Sequence, residues 1–426
     1  MSFGQIGEVT RYELNQINSN LQDSYKDKTQ QKSNFEKTPP FLPFQFKQVL
    51  DSQAIKDLQN SIKIGNNRFL DYLQPLSIGK LKYSKPVAII YNPNSGKKKD
   101  IKKYIMDKFN RNNIKFEILE SKKAFDTFTI PFKIDIENYS AIVAVGGDGT
   151  FHEVVNGMLN RVDKQKLPIA FVGNGSGNDT LRQFGVLDID QALNFIVKGD
   201  LLKYDVVKIL IDYQNEKDIP DNALYNHHRY SIINTVIGLM AKINHNAQNY
   251  KQWPLINPYQ ISAFVELTRL KPDKISLEVD GKTVQEDLDT LVLGVNNSKY
   301  GGSGMVLSPY SFMNDGMQDA YVHTQMLGVL KILDLIDQLN KYQGMHVYEK
   351  DAKFYRGKNI KVYNRSEKVY SWQSHKFERQ LQRIAIDGEN FAYKDFVQYE
   401  TLPGEIDVIV DYEFLLKKFE WFSPKL

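Results

Sequence analysis

Three short loops in the first half of the chain concentrate glycine, asparagine and small polar residues. They are Asn92-Pro93-Asn94-Ser95-Gly96-Lys97, Gly146-Gly147-Asp148-Gly149-Thr150 and Gly173-Asn174-Gly175-Ser176-Gly177-Asn178-Asp179. Each follows a short apolar run and precedes a helical pattern. Residues without a Cβ let backbone N–H groups close on a phosphate, and a helix opening directly afterwards aims its positive end at the same place. Lys97 adds an ammonium group to the first loop. Thr150 and Glu153 stand at the spacing of a capping box, so a helix is expected to start there. The Walker A spacing is absent, and so is the acidic residue that follows a dinucleotide fingerprint. The loops together predict one nucleotide-phosphate edge.

Two later loops carry carboxylates. Asn314-Asp315-Gly316, with Asp319 after it, enters a strand pattern, and Asp387-Gly388-Glu389 follows the apolar run Ile384-Ala385-Ile386. A plain turn explains either equally well. As chemistry, such a pair suits metal-dependent phosphoryl transfer, one carboxylate accepting a hydroxyl proton and the other positioning Mg²⁺ or the base.

Composition narrows the alternatives. The 426 residues suit two domains and a margin, and 42% hydrophobic with 25% charged residues is a globular balance. A net charge of +4 gives no reason to expect nucleic acid. The absence of cysteine removes disulfides, thiolate metal sites and a cysteine nucleophile. No H-E-x-x-H spacing supports a histidine zinc site, and no apolar run of bilayer length or secretory signal is visible. A soluble chain is expected, intracellular, in the cytoplasm or at an organelle membrane, the mitochondrion included.

The elements that must position these loops are legible in the apolar pattern. Val87–Tyr91, Phe116–Leu119, Ala141–Val145 and Pro168–Val172 read as buried strands, separated by helical stripes such as Ile101, Tyr104, Ile105, Phe109 and Val154, Val155, Met158, Leu159. That alternation predicts a parallel sheet. Residues 123–139 are ambiguous because Pro131 interrupts them. After about Lys203 the period becomes two, with Ile275, Leu277 and Val279 before an Asp280-Gly281 turn, which predicts an antiparallel β domain. A helix carrying Leu330, Leu333, Ile336 and Leu339 is expected to face the core. The expected divisions are an extension or interaction arm at 1–85, open to a protein partner, an α/β domain at 86–203, a β-sandwich at 204–405, and a C-terminal segment at 406–426 returning to the first domain.

From about Lys85 to Val410 the chain resembles the diacylglycerol kinase catalytic-domain family, which includes sphingosine, ceramide and bacterial lipid kinases. The resemblance is carried by Ile90 to Lys97, Gly146 to Gly157 (GGDGTFHEVVNG), Gly175 to Asp179, Tyr204-Asp205-Val206, Asn314-Asp315-Gly316 and Ile386 to Glu389, in family order. It implies a Rossmann-like α/β nucleotide domain, like those of NAD kinases and phosphofructokinases, followed by a β-sandwich holding a lipid. Asn92, Ser95, Gly96, Lys97, Gly146, Gly147, Gly149, Thr150, Gly175, Ser176, Gly177 and Asn178 would contact ATP. Asp387 would be the general base on the lipid hydroxyl with Glu389 beside it. Asp148 and Glu389 would serve Mg²⁺, and Asp179 and Asp205 would support the network. Asp387→Ala is then expected to fold normally and lose lipid phosphorylation. The implied partners are a lipid and, peripherally, a membrane. NAD kinase shares the Gly-Gly-Asp-Gly-Thr loop but not the flanking motifs. The reading from another class is a lipid-kinase fold retained as a structural subunit of a large assembly with little activity.

Overall fold

A computed structural model describes residues 79–96, 101–175, 177–250, 258–309, 311–325, 327–340, 344–349, 351–371 and 375–415. Nearly all of the expected arm at 1–85 lies outside them, as do Lys97 and Ser176.

The first half alternates strands and helices. In chain order these are β1 (Val87–Tyr91), α1 (Ile101–Arg111), β2 (Phe116–Glu120), α2 (Asp126–Lys133), β3 (Ala141–Gly146), α3 (Asp148–Leu159), β4 (Ile169–Gly173), α4 (Asp179–Arg182), α5 (Ile189–Lys198) and β5 (Asp200–Ile211). β2, β1, β3 and β4 pair in parallel in that order. All six residues of β3 and all five of β4 are buried, as strands covered by helices on both faces must be. The ambiguous segment resolves into α2, with Pro131 buried inside it. Arg161 stabilises its end by donating from Nη1 to the carbonyls of Pro131 (2.9 Å) and Ile134 (2.8 Å).

The second half holds β6 (His228–Ser231), β7 (Asn234–Gly238), α6 (Leu239–Ala247), α7 (Pro258–Thr268), β8 (Asp273–Val279), β9 (Lys282–Thr290), β10 (Val292–Asn296), β11 (Tyr300–Gly301), β12 (Met305–Val306), β13 (Gln318–His323) and α8 (Val329–Asn340). After them come β14 (Ala352–Gly357), β15 (Asn359–Asn364), β16 (Lys368–Ser371), β17 (Lys376–Arg379), β18 (Gln382–Ile386), β19 (Glu389–Tyr393) and β20 (Phe396–Val410). Two sheets face each other. One runs β14-β13-β10-β7-β18-β19; the other continues the parallel sheet as β4-β20-β15-β8-β9. Between them lies a shared apolar core of residues such as Ile209, Leu277, Val362 and Val397 from one sheet and Ile237, Leu293, Ile384 and Ile386 from the other. An α/β domain followed by an antiparallel β-sandwich is thus the architecture, as expected.

The halves are not joined by a linker. β20 pairs with β5 along both strands, its first part in the sandwich (Val397↔Ile211 to Leu402↔Val206) and its second in the α/β sheet (Ile406↔Tyr204 to Val410↔Asp200). Between these stretches the register shifts, with Gly404 at φ +60°. Val408 then pairs in parallel with Ile169 on β4, and Ile406, Val408 and Val410 join the first core.

One helix departs from expectation. On α8 the residues turned inward are Ile332 and Leu335, while Leu330 is 83% exposed and Leu333 is also outside. The three-residue spacing of Leu330, Leu333, Ile336 and Leu339 drifts around a 3.6-residue helix, so no single face can bury all four.

Helices α2 and α3 approach through Gly157, where a Cβ would stand 2.2 Å from the Phe128 carbonyl oxygen and 2.7 Å from Pro131 Cγ. Gly157→Ala should therefore lower stability by roughly 1–3 kcal/mol through overpacking. A denaturant midpoint unchanged from wild type would contradict that approach.

Candidate functional site

Backbone and amide hydrogen bonds lock the three glycine loops into one edge beyond β1, β3 and β4. Asn92 donates from its backbone N–H to the Val145 carbonyl (3.1 Å) and from Nδ2 to Thr150 Oγ1 (3.1 Å). Its Oδ1 accepts from Asn94 N–H (3.0 Å), forming a side-chain-closed turn. Asn174 donates from its backbone to the Gly146 carbonyl (2.7 Å) and from Nδ2 to the Ser95 carbonyl (2.6 Å). Gly96, at φ +88°, leaves no room for any other residue, since its Cβ would overlap the Asn174 carbonyl oxygen at 1.8 Å. A Cβ on Gly175 would lie 2.8 Å from Gly147 Cα, so the second and third loops touch through bare backbone. Asn178 closes the third loop by accepting from Gly175 N–H (3.1 Å). Gly177 is wedged between Asp148 and Ser303.

The capping box does not form. α3 begins at Asp148, two residues ahead of Thr150, and its N-cap is Gly147, which offers no side chain. Thr150 packs on Gly146 and receives Asn92, and Glu153 accepts a hydrogen bond from Thr127 Oγ1. No side chain caps the first turn of this twelve-residue helix, whose positive end therefore faces the loops. That end and the bare glycine backbone fit the phosphates of a nucleotide.

Asp148 does not point into this space. Its Oδ1 accepts from Thr180 N–H and Oγ1 (both 3.0 Å), and its Oδ2 accepts from Asp179 N–H (3.0 Å), capping the short turn α4. Asp179 passes the connection on, accepting from Ser303 N–H (2.8 Å) and Gly304 N–H (2.7 Å) in the β domain. Burial, and then the charge of Asp148, push the Asp179 carboxyl up to about 6. Asp205 makes a second such strut, accepting from Gly316 N–H (2.6 Å) and Gly404 N–H (2.7 Å), and burial raises it to about 6.

Asp387 is the most heavily bonded carboxylate of the set. Its Oδ1 accepts from Ser231 Oγ (2.7 Å), Ile233 N–H (2.9 Å) and Asn234 N–H (3.0 Å). Its Oδ2 accepts from Ile232 N–H (2.9 Å) and His152 Nδ1 (2.9 Å). The side chain has no exposed surface, and the residue adopts φ +48° to reach inward. A carboxylate this enclosed has no face open to a lipid hydroxyl, so the geometry gives Asp387 a positioning role where the family resemblance implies a base. Four residues along α3 from His152, Asn156 both donates to the Tyr230 carbonyl (2.8 Å) and accepts from Tyr230 N–H (2.9 Å). His152, Asn156 and Ser231 were not among the expected site residues. The i, i+4 pair of polar residues on the buried side of an otherwise apolar helix was the available signal.

Glu389 does face the loops. It is exposed, and its Oε1 lies 3.1 Å from where a Cβ on Gly149 would stand, at the first turn of α3. Its charge acts on Glu153, on Tyr259 of α7 and on Arg229. Arg229 is almost wholly buried, stacked 3.2 Å from the Tyr225 ring centroid, and burial lowers its guanidinium to about 10. Among the described residues no group of three or more His, Asp or Glu could hold a metal by itself. Mg²⁺ held chiefly by nucleotide phosphates and water needs no such cage, and Asp148, with both oxygens engaged, is not turned toward it.

Comparison with known proteins places this geometry. Residues 86–209 match the family model described as the diacylglycerol kinase catalytic domain, and residues 234–410 match that of the YegS C-terminal NAD kinase beta sandwich-like domain. The chain is 28% identical over 238 residues to diacylglycerol kinases of Staphylococcus aureus strains bovine RF122 / ET3-1 and MRSA252, covering 54% of this chain and 68% of each relative. A crystal structure of a diacylglycerol kinase from Bacillus anthracis str. Sterne shares the fold, with a TM-score of 0.53, 18% identity, and coverage of 77% of this chain and 97% of that one.

Removing the Asp387 carboxylate would strand buried donors, each costing roughly 1–3 kcal/mol. Asp387→Ala is therefore expected to lose cooperative unfolding, or to show a strongly lowered midpoint, in thermal denaturation followed by circular dichroism. A variant of normal stability would contradict this structural role.

Proposed function

The chain belongs to the diacylglycerol kinase catalytic-domain family, and on that premise we propose that it transfers the γ-phosphoryl group of ATP, with Mg²⁺, to the hydroxyl of a diacylglycerol- or sphingoid-type lipid. The observation that carries this reading is the exposed Glu389 carboxylate above Gly149, at the first turn of α3, which no N-cap side chain closes. Phosphoryl transfer needs positioning and charge stabilisation more than covalent chemistry, and these residues provide both. The N–H groups opening α3 donate to the phosphates, and the Gly147 and Gly175 backbones allow them to approach closely. Asn178 holds the third loop in shape, and Asn92 and Asn174 hold the first against the other two. Mg²⁺, when bound, supplies neutralising charge on the phosphates.

Glu389 accepts the proton of the lipid hydroxyl as that oxygen bonds to the γ-phosphorus. The bond from phosphorus to the β–γ bridging oxygen breaks, and ADP leaves. Asp387 keeps Glu389 in place by fixing the turn between β18 and β19 to residues 231–234. Glu389→Gln is expected to reduce kcat on a lipid acceptor by about 10²–10⁴ with nucleotide affinity nearly unchanged. Full lipid phosphorylation by this variant would remove Glu389 from the chemistry. Phosphorylation of NAD in preference to every member of a lipid panel would displace the reading as a whole.

A further inference from the structure

We propose that the ribbon of β16 and β17 is a docking element for an anionic lipid bilayer. The two strands form a sheet of their own, in the register Lys368↔Arg379, Val369↔Glu378, Tyr370↔Phe377 and Ser371↔Lys376. A lone two-stranded ribbon is marginal in water and gains little by displaying apolar side chains. Yet Phe377 is 68% exposed, Val369 49% and Tyr370 39%, and Leu381 at the base is 66% exposed. The Tyr370 and Phe377 rings meet edge to face at 5.4 Å, forming one aromatic knob.

Charge selects the occupant. From Arg365 to Arg383 the chain carries five basic residues, Arg365, Lys368, Lys376, Arg379 and Arg383, against Glu367 and Glu378, a local surplus of +3 on a chain whose total is +4. Arg379 and Glu378 fasten the ribbon to the body through Asp395 (3.1 Å) and Lys394 (2.9 Å). Lys368 and Lys376, both exposed, have no ion-pair partner among the described residues. Aromatic bodies rimmed by lysine and arginine seat at the level of lipid headgroups, with the rings in the interface and the cations on anionic groups. The connection to the candidate site is direct. β18 starts at Gln382 and ends beside Asp387, so a single short strand links the ribbon to the turn that carries Glu389. The bilayer as occupant rests on the lipid-kinase reading, because it is where such an acceptor resides.

The test is co-sedimentation of the full chain with vesicles of phosphatidylcholine alone and of phosphatidylcholine containing phosphatidylserine. The wild type should sediment with the anionic vesicles and less with the neutral ones. Both Tyr370→Ser/Phe377→Ser and Lys368→Glu/Lys376→Glu should cut the bound fraction by about tenfold, while phosphorylation of a dispersed short-chain diacylglycerol stays at the wild-type rate. Undiminished binding by both variants, indifference of the wild type to anionic vesicles, or a ribbon-dependent change in solution mass (a second copy as the true occupant) would overturn the proposal. Ribbon-dependent vesicle binding by a wild type that phosphorylates no lipid would leave docking standing and sink the kinase reading alone.

Discussion

The candidate site depends on one buried carboxylate. Asp387 receives donors from α3 (His152), from the end of β6 (Ser231) and from three successive backbone N–H groups at 232–234. Each would be costly to leave unpaired away from water, and a single anion satisfies them together. The nucleotide-side helix, the first two strands of the sandwich and the β18–β19 turn are thereby held to one point. Glu389, two residues on, inherits its place from that junction.

Asp148 and Asp179 do similar work between the glycine loops and the β domain. The first closes the second glycine loop onto the third, and the second joins the third to residues 303–304 of the β domain. Carboxylates that sequence motifs present as reactive are here largely mechanical, binding backbone N–H groups across sequence distances that no local interaction spans. Burial is the physical reason: an enclosed carboxylate must spend its lone pairs on protein donors, and the exposed one keeps them for a ligand.

This division explains what was and was not legible beforehand. Strands such as Ala141–Val145 could be read from continuous apolar runs, and the sandwich from period-two patterns such as Ile275, Leu277, Val279, because burial on two faces or one leaves a local signature. The three loops converged because turns at the carboxyl ends of adjacent parallel strands have nowhere else to go. The role of Asp387 could not be read, since its partners lie about 155 and 235 residues away and nothing in Asp-Gly-Glu distinguishes an inward from an outward carboxylate. The start of α3 was misplaced because a Thr and Glu at capping-box spacing were each claimed by tertiary partners, Asn92 and Thr127. On α8, side-chain spacing alone could not determine which arc of a helix with seven apolar residues in twelve meets the body.

The paired strands β5 and β20 carry a mechanical consequence. Because both run from the α/β half into the sandwich, no swivel separates the halves, and spreading them would have to bend a two-stranded beam. The compliant spot is the irregular stretch between Leu402 and Ile406, where ladder pairing lapses and Gly404 relaxes the backbone. Spreading of the two halves would accordingly strain that stretch first, with the rest of the paired strands resisting like a beam.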